Sequence, residues 1–434
     1  MEAAASGALA LVEAALKHKV GRGVESAPGL SYVHTAPHHD DIMLGYLPLV
    51  RRMVLDDSSQ HMFLYATSGF NAVTNAFMVD KLTTAAAELR RKGSDAEAAA
   101  REGRLRPAEP PATGADADAR AYLAAHAARD ERGKRRAVAA RAARCVVEVI
   151  VAARADAGEA GMSDPETIAA ACDVARAYYE VQLPGAKDTP LYQQLKGSLR
   201  EFEADLLWSY HGFGRREVGH LRLGFYKGER FTEEPEEQRD AVPLLASLVK
   251  ARPDVVTVAF DPEGSGPDTH YKVLQAVAQA LRLYRTHHPE DAARVRVWGY
   301  RNVWFRFSPA EATHAVPCSP CDTAAMNDSF EACFLSQFNA SFPSPDHDGP
   351  FSHQAQMVQA AQLREFAGLL GADYFRDHED RRLRAAHALV LVKEMQLDEF
   401  LHSARELQSG AEGAGAARKT LSRAGAGHGV LRTA

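Results

Sequence analysis

Residues 31–45 read SYVHTAPHHDDIMLG, and this stretch predicts both a strand and a chemical site. Tyr32 and Val33 open an apolar run of strand character that ends at Pro37. Two histidines and two aspartates follow at once, as HHDD at 38–41. Imidazole and carboxylate ligands together suit a divalent transition metal such as zinc, and a further carboxylate beside them can act as a base. The alternative interpretation is a hydrated polar turn that follows a strand.

The bulk composition is that of an ordinary globular protein. The 434 residues are 46% hydrophobic and 25% charged, with a net charge of −6, so no general affinity for nucleic acid or an anionic membrane is indicated. Five cysteines, an odd number, fit a reducing compartment better than a disulfide framework. The N-terminus predicts neither a signal peptide nor a membrane span. We therefore expect a cytoplasmic protein.

Apolar runs of strand character alternate with amphipathic helical stretches along much of the chain. The predicted strands are 29–36, 61–67, 254–260 and 295–298. The predicted helices include 41–55, 352–370 and 383–404. Such alternation is typical of an α/β fold, and we predict a doubly wound, mostly parallel sheet.

Changes in composition divide the chain into four parts. Residues 1–78 and 198–405 are expected to form the two halves of one catalytic α/β domain. Residues 79–197, rich in alanine and arginine, predict a helical insertion with a disordered Pro/Gly/Ala-rich joint. Residues 406–434 are rich in Gly, Ala, Arg and Ser and are predicted to be a disordered tail.

A second stretch, DPEGSGPDTH at 261–270, also follows an apolar strand. Because parallel strands end at one edge of a sheet, His270 is expected to meet His38 and Asp41 there. Two histidines and one carboxylate leave a coordination position open for water, as a catalytic zinc ion requires. Taken alone, His270 would be interpreted as a capping or solvated histidine.

These motifs carry a resemblance to a known family. TAPHHDD, a TSG loop and the later GPDTH resemble the LmbE/PIG-L family of zinc-dependent N-deacetylases, as does an Arg-x-x-Glu helix at Arg200 and Glu203. The chain is more closely similar to a subgroup that is found alongside glucosamine-6-phosphate deaminase/isomerase. The strings shared with that subgroup are PHHDDIMLGYLP, LRLGFYKG, DPEGSGPDTHYKVLQA and WGYRNVWFRF. The resemblance covers residues 30–80 and 198–405.

The resemblance implies a Rossmann-like fold, a metal ion and a hydrolytic reaction. His38, Asp41 and His270 would bind Zn²⁺ or another divalent metal. Asp40 would be the general base that takes a proton from the water activated by the metal. That water would attack the acetamide carbonyl of an N-acetylglucosamine-type substrate.

Further roles follow from the same resemblance. Asp268 is expected to hold the second ring nitrogen of a metal-binding histidine. Arg200, Arg301 and Asn302 are candidates for contacts with substrate hydroxyl or phosphate groups. A structural salt bridge is the alternative role for the two arginines.

Three positions depart from the family pattern. His39 replaces a proline, Ile42 replaces an acidic residue, and Gly266 replaces a histidine that serves as an acid or oxyanion partner. Either Asp40 serves both proton-transfer steps, or another histidine supplies the proton, or the reaction differs. The histidines considered for that role are His39, His211 and His220. Sugar-phosphate deamination/isomerisation, which needs no metal, and a catalytically inactive carbohydrate- or metal-binding protein remain the alternative functions.

Overall fold

A computed structural model describes most of the chain. The described residues are 2–25, 27–105, 112–153, 164–183, 186–228, 232–261, 268–303, 305–337 and 347–426. Side chains are described in these ranges except at 2–6, 112–115 and 412–426. Gly266 therefore lies outside the described residues.

The described chain forms a seven-stranded sheet with the order β3-β2-β1-β4-β5-β7-β6. Its strands are β1 Ser31–Ala36, β2 Gln60–Tyr65, β3 Val218–His220, β4 Val255–Ala259, β5 Arg296–Tyr300, β6 His314–Cys318 and β7 Ala388–Gln396. The pairs among β1 to β5 are all parallel, whereas β7 runs antiparallel to both β5 and β6. The predicted α/β class and the mostly parallel sheet are confirmed.

Strand β1 lies where the strand order reverses. It pairs with β2 on one side and with β4 on the other, so the chain leaves β1 in one direction and returns to its opposite flank. In open α/β sheets the crevice beyond the carboxyl ends of two such strands is the usual ligand site. The HHDD segment follows β1, and Asp261 follows β4, so both lie at this crevice.

Helices cover both faces of the sheet. The longer ones are α1 Glu2–Val24, α2 Asp41–Met53, α3 Asn75–Arg90, α4 Asp95–Arg101, α5 Ala112–Ala127, α6 Glu131–Val146, α7 Pro165–Val181, α8 Pro190–Tyr210, α9 Val242–Ala251, α10 Asp268–His287, α12 Pro320–Cys333, α13 Phe351–Leu370 and α16 Leu397–Ala426. Three short helices are α11 Pro289–Ala292, α14 Ala372–Arg376 and α15 Arg381–Arg384.

Successive side chains of a strand point to opposite faces of the sheet, so the buried residues form a separate core on each face. Tyr32 packs in one cluster with residues of α2, α8 and α12, whereas its neighbour Val33 packs with residues of α9, α10 and α16. A third cluster joins α3, α4, α6 and α7 to the start of α8. Helix α8 is thus shared, because Leu199 belongs to the third cluster and Phe202 to the Tyr32 cluster.

The prediction of a helix over 383–404 is wrong for residues 388–396. They form β7, whose register pairs Val297 with Met395 and Val316 with Val390. The stretch ALVLVKEMQ has an apolar run that suits a buried strand as well as a helix. The stretch forms a strand rather than a helix because it pairs with β5 and β6, which are distant in sequence.

The predicted division into parts stays a prediction, although its boundaries do not coincide with the ends of helices. The boundaries after residues 78 and 197 fall inside α3 and α8. The described part of 79–197 is helical, but α5 begins at Ala112, within the stretch predicted as a disordered joint, and 106–111 lie outside the described residues. Helix α16 continues to Ala426, so the tail predicted from 406 is helical over most of its length. The last predicted segment, 427–434, is outside the described residues.

In the described part of the chain, every helix is too short or too polar to cross a lipid bilayer.

Candidate metal centre

The HHDD turn is tied to the ends of β1 and β2. The Thr67 backbone N–H and hydroxyl both donate to the Pro37 carbonyl, at 3.1 and 2.8 Å. The chain then turns sharply, and the His38 backbone N–H donates to Asp41 Oδ2 at 2.6 Å. Because Asp41 is the first residue of α2, this bond folds its carboxylate back over the turn. The side chains of residues 38 and 41 consequently face the same crevice.

His270 reaches the same point from the first turn of α10. Its Nε2 lies 3.4 Å from Asp41 Oδ1, and its ring centre lies 5.3 Å from that of His38. One ligand atom from each of His38, Asp41 and His270 falls within 4.8 Å of the others. The structure therefore brings together the three residues predicted to bind metal. In the part of the chain that is described, they form the one such group of three.

The spacing of these atoms fits a divalent metal. Two ligands held 2.0–2.1 Å from a tetrahedral zinc ion lie about 3.3 Å from each other. The observed separations are 3.4 Å for His270 Nε2 to Asp41 Oδ1 and 3.6 Å for His38 Nδ1 to Asp41 Oδ2. Two imidazoles and a carboxylate are also the ligand set of several catalytic zinc sites. These two separations involve different oxygens of Asp41, and the three ligand atoms lie within 4.8 Å of one another, so side-chain adjustments would be needed to place them around one ion.

Asp261 holds the far side of the His270 ring. Its Oδ2 lies 2.5 Å from His270 Nδ1, and the two side chains are 6% and 2% exposed. A carboxylate in this position fixes the ring so that Nε2 points towards Asp41, as the support of a metal-binding histidine would do. The prediction gave this role to Asp268, and that prediction is wrong. Asp268 instead contacts Thr232 and Lys272, and its side chain is half exposed.

We call His38, Asp41 and His270 the metal cluster, and charges within this cluster shift the pKa values of its members. Burial alone would raise the pKa of Asp41, but the charge of His270 and the contacts with His38 lower it to about 2. Burial opposes protonation of His270, yet Asp41 and Asp261 together raise its pKa. The carboxylate of Asp41 is thus ionised at neutral pH, as a metal ligand must be.

Asp40 lies beside the cluster and is paired with a buried arginine. Its Oδ1 lies 3.4 Å from an Arg200 terminal nitrogen, and that guanidinium also donates to the Gly69 carbonyl at 3.3 Å. Gly69 has φ +55°, and a Cβ there would lie 3.1 Å from Arg200 Nε. Glycine in the TSG loop therefore leaves room for the arginine that faces Asp40.

Of the other predicted substrate contacts, Asn302 supports the metal cluster and Arg301 supports the fold. The Asn302 amide donates to Asp41 Oδ1 at 2.6 Å, which helps to orient that carboxylate. Arg301 donates to the Phe260 carbonyl at 3.0 Å, pairs with Glu311 at 3.0 Å and lies over the Phe307 ring. Its side chain does not line the cavity at the metal cluster. The geometry therefore favours a structural salt bridge, and not a substrate contact, as the role of Arg301.

The three histidines considered as replacements for the family histidine lie outside the cavity lining. His39 is fully buried, with Nε2 3.3 Å from His220 Nδ1, and His220 Nε2 lies 3.1 Å from Asp205 Oδ1. This chain of contacts lies behind the turn and holds it in place. His211 lies 3.2 Å from the Ser329 hydroxyl, and burial lowers its pKa to about 4.

A cavity of about 310 Å³ opens over the metal cluster. Its lining includes the charged or titratable side chains of His38, Asp40, Asp41, Arg200 and His270. Leu44, Val303 and Phe351 provide apolar wall, and Asn71 and Gln337 add polar groups. The volume is sufficient for a ligand of monosaccharide size. Gln337 was not predicted, because no motif precedes or follows it.

A larger cavity of about 430 Å³ lies at the opposite edge of the sheet, near the ends of α1 and α2. One of its charged groups, Glu394, is paired within the protein. It accepts hydrogen bonds from Arg22 and from Trp298 Nε1, both at 2.8 Å. Among the described residues, the one group of three that could hold a metal lies at the smaller cavity.

Comparison with known proteins adds no assignment. No protein-family model matches the chain, and no curated protein sequence matches it.

Proposed function

We propose that this protein is a metal-dependent amidohydrolase of the LmbE/PIG-L type that removes acetyl from an N-acetylglucosamine-type substrate. The observation that carries the proposal is the meeting of His38, Asp41 and His270, with a fourth side chain, Asp40, beside them but outside the ligand set. Three protein ligands and a neighbouring carboxylate are what hydrolysis by a catalytic zinc ion needs. The sequence resemblance to the N-deacetylases supports the same chemistry and the same fold.

His38, Asp41 and His270 would hold the metal. When bound there, a zinc ion supplies Lewis acidity, which makes water more acidic and polarises a carbonyl group. Asp261 and Asn302 keep two of the ligands in position through the bonds described above. The protein thus orients the ligands before any substrate enters.

Asp40 acts as the general base. Its carboxylate lines the cavity next to the ligands, where it can accept a proton from the attacking water. The Arg200 guanidinium, 3.4 Å away, pairs with the carboxylate and fixes its orientation. Attack on the amide carbon forms a tetrahedral adduct, and cleavage of the C–N bond releases acetate and an amine.

Asp40 also returns the proton to the leaving nitrogen. The three candidate histidines do not line the cavity, whereas the Asp40 carboxyl does and is protonated after the first step. One carboxyl group can serve first as base and then as acid, because its protonation state alternates through the reaction. The reaction then needs no second proton donor in place of the family histidine that Gly266 replaces.

The five cysteines are unpaired, and four of them are buried. This supports a reducing compartment, and we propose that the enzyme acts in the cytoplasm.

Acetate release with and without metal tests the proposal. The chelator-treated protein should be inactive on N-acetylated amino sugars, and zinc should restore acetate release. Asp40→Asn should lower kcat by ~10² to 10⁴ while zinc binding is retained. The matched control Asp57→Asn, at an exposed site, should behave as the wild type.

Three other outcomes would count against the proposal. Release of ammonia from glucosamine 6-phosphate that survives full removal of metal would favour a deaminase/isomerase. Zinc binding without turnover of any N-acetylated sugar would favour an inactive binding protein. Full activity of Asp40→Asn would remove Asp40 from the mechanism.

A further inference from the structure

Gln337 presents a polar group to the cavity from outside the metal cluster. It lies in the turn that follows α12 and is 4% exposed, yet it lines the cavity over the metal cluster. A buried side-chain amide has a donor end and an acceptor end, and its function depends on which end faces the ligand. The contacts of Gln337 decide this.

The nitrogen end of the Gln337 amide is held by the protein. Nε2 donates to the Ala72 backbone carbonyl at 3.0 Å and to the Ser336 hydroxyl oxygen at 3.1 Å. A backbone carbonyl can only accept a hydrogen bond, so the group that faces Ala72 must be the NH₂ group. The orientation of the amide therefore follows from its partners.

Glu203 contacts both polar groups of Ser336. Its two carboxyl oxygens accept hydrogen bonds from the Ser336 backbone N–H at 2.5 Å and from the Ser336 hydroxyl at 3.0 Å. In this arrangement the hydroxyl hydrogen of Ser336 is used by Glu203, and the hydroxyl oxygen accepts the bond from Gln337. Glu203 is itself buried at 1% exposure on α8, one turn after Arg200.

The oxygen end of Gln337 is left for a ligand. Among the described residues, neither of the hydrogen bonds of the Gln337 side chain uses Oε1. Among the described residues, Oε1 is also not one of the fully buried side-chain atoms that lack a partner. Gln337 lines the cavity, and Oε1 is the end of its amide that these contacts leave for a ligand.

We propose that Gln337 is a specificity-determining residue that accepts a hydrogen bond from a hydroxyl group of the substrate. The identity of the substrate as an amino sugar rests on the proposed function. The orientation of the Gln337 amide, with its nitrogen held by the protein, does not depend on that function. A phosphate dianion at the same position has acceptors alone and would face Oε1 without a shared proton. Gln337 thus selects a free hydroxyl group over a phosphate ester at that position.

Removal of single hydroxyl groups tests the inference. Wild-type protein loaded with zinc would be assayed with N-acetylglucosamine and with analogues that lack each hydroxyl group in turn. One analogue should lose ~10-fold in kcat/KM, because its deletion leaves a buried acceptor unpaired. In Gln337→Met, the preference for the parent sugar over that analogue should fall to near 1.

Two further variants separate recognition from folding. Gln356→Ala removes a half-buried glutamine that donates to the Thr323 carbonyl away from the cavity, and it should keep the wild-type preference. Glu203→Gln places an amide against Ser336 and frees the hydroxyl hydrogen to point at Gln337. That variant should reduce the preference although Glu203 does not line the cavity. Zinc content and circular dichroism would establish that each variant is folded.

Binding of the same sugars, measured by saturation-transfer NMR on zinc-loaded protein, gives a readout that needs no turnover. Acetate release with an unchanged preference in Gln337→Met would overturn the inference and leave the proposed function standing. No acetate release, but a hydroxyl preference in binding that depends on Gln337, would reject the hydrolase and support the inference. A protein that neither binds nor hydrolyses these sugars would overturn both.

Discussion

Replacement of Asp261 by asparagine should weaken metal binding although Asp261 is not a metal ligand. The carboxylate lies 2.5 Å from His270 Nδ1, and both side chains are almost inaccessible to water. An asparagine at this position would keep the shape and still offer an oxygen to the ring N–H, but the negative charge would be lost. The perturbation therefore isolates the electrostatic part of the contact.

The expected magnitude follows from that geometry. Loss of a carboxylate behind a metal-binding histidine typically costs 10- to 100-fold in metal affinity. Because the asparagine side chain retains the hydrogen bond, we expect the lower end, about 10-fold, which corresponds to about 1.4 kcal/mol. Asp261→Ala, which also removes the bond, should approach about 100-fold.

Competition with a chromophoric chelator at fixed pH would measure the zinc affinity of each variant. Asp268→Asn is the matched control, since that carboxylate lies two residues from His270 in sequence but contacts Lys272 at 2.9 Å. Asp268→Asn should bind zinc as the wild type does. Equal affinity of Asp261→Asn and wild type, or an equal loss in Asp268→Asn, would refute the reasoning.

Three further predictions concern the surroundings of the site. Burial raises the pKa of Glu203 to about 7 from its ordinary value of 4.5, so the folded state binds this proton more tightly than the unfolded state does. The free energy of unfolding should therefore fall as pH rises from 4.5 to 7. Urea titrations at pH 5, 6 and 8 should show this fall in the wild type and a smaller fall in Glu203→Gln. Arg301→Ala should lower the free energy of unfolding by ~1–3 kcal/mol and leave KM unchanged, and a raised KM would return Arg301 to the substrate site. Asn302→Ala should weaken zinc binding by ~2- to 10-fold through loss of the bond to Asp41, measured by the same chelator competition, and unchanged affinity would contradict that role.

The fold could be predicted where strands are locally apolar. Val255–Ala259 is a central strand with each residue buried, and its sequence VVTVA suits little else. The nine-residue strand Ala388–Gln396, in the antiparallel part of the sheet, is different. Its identity depends on hydrogen bonds to β5 and β6, which are distant in sequence, and no local pattern reports them.

The meeting of the three candidate metal ligands could be predicted because parallel strands end together. His38 and Asp41 follow β1, His270 follows β4, and the two strands are neighbours in the sheet. The supporting carboxylate could not be chosen in the same way. Asp268 and His270 are two positions apart on α10, so their side chains point to different sides of the helix, whereas Asp261 approaches from the end of β4.

Gln337 shows where sequence reasoning ends. Its position in the cavity depends on contacts with Ser336, which Glu203 on α8 holds, and with Ala72 near the end of β2. Neither Glu203 nor Ala72 is close to it in sequence, and a lone glutamine carries no motif. Such a residue becomes visible only once the fold has brought the three segments together.

The most direct test of the metal centre is the zinc content of purified protein after zinc loading and dialysis, measured by elemental analysis. The account predicts one equivalent of zinc in the wild type and in His402→Ala, which removes an exposed histidine. It predicts loss of most of that zinc in the double variant His38→Ala/His270→Ala. A wild type that retains no zinc, or a double variant that retains a full equivalent, would contradict the account.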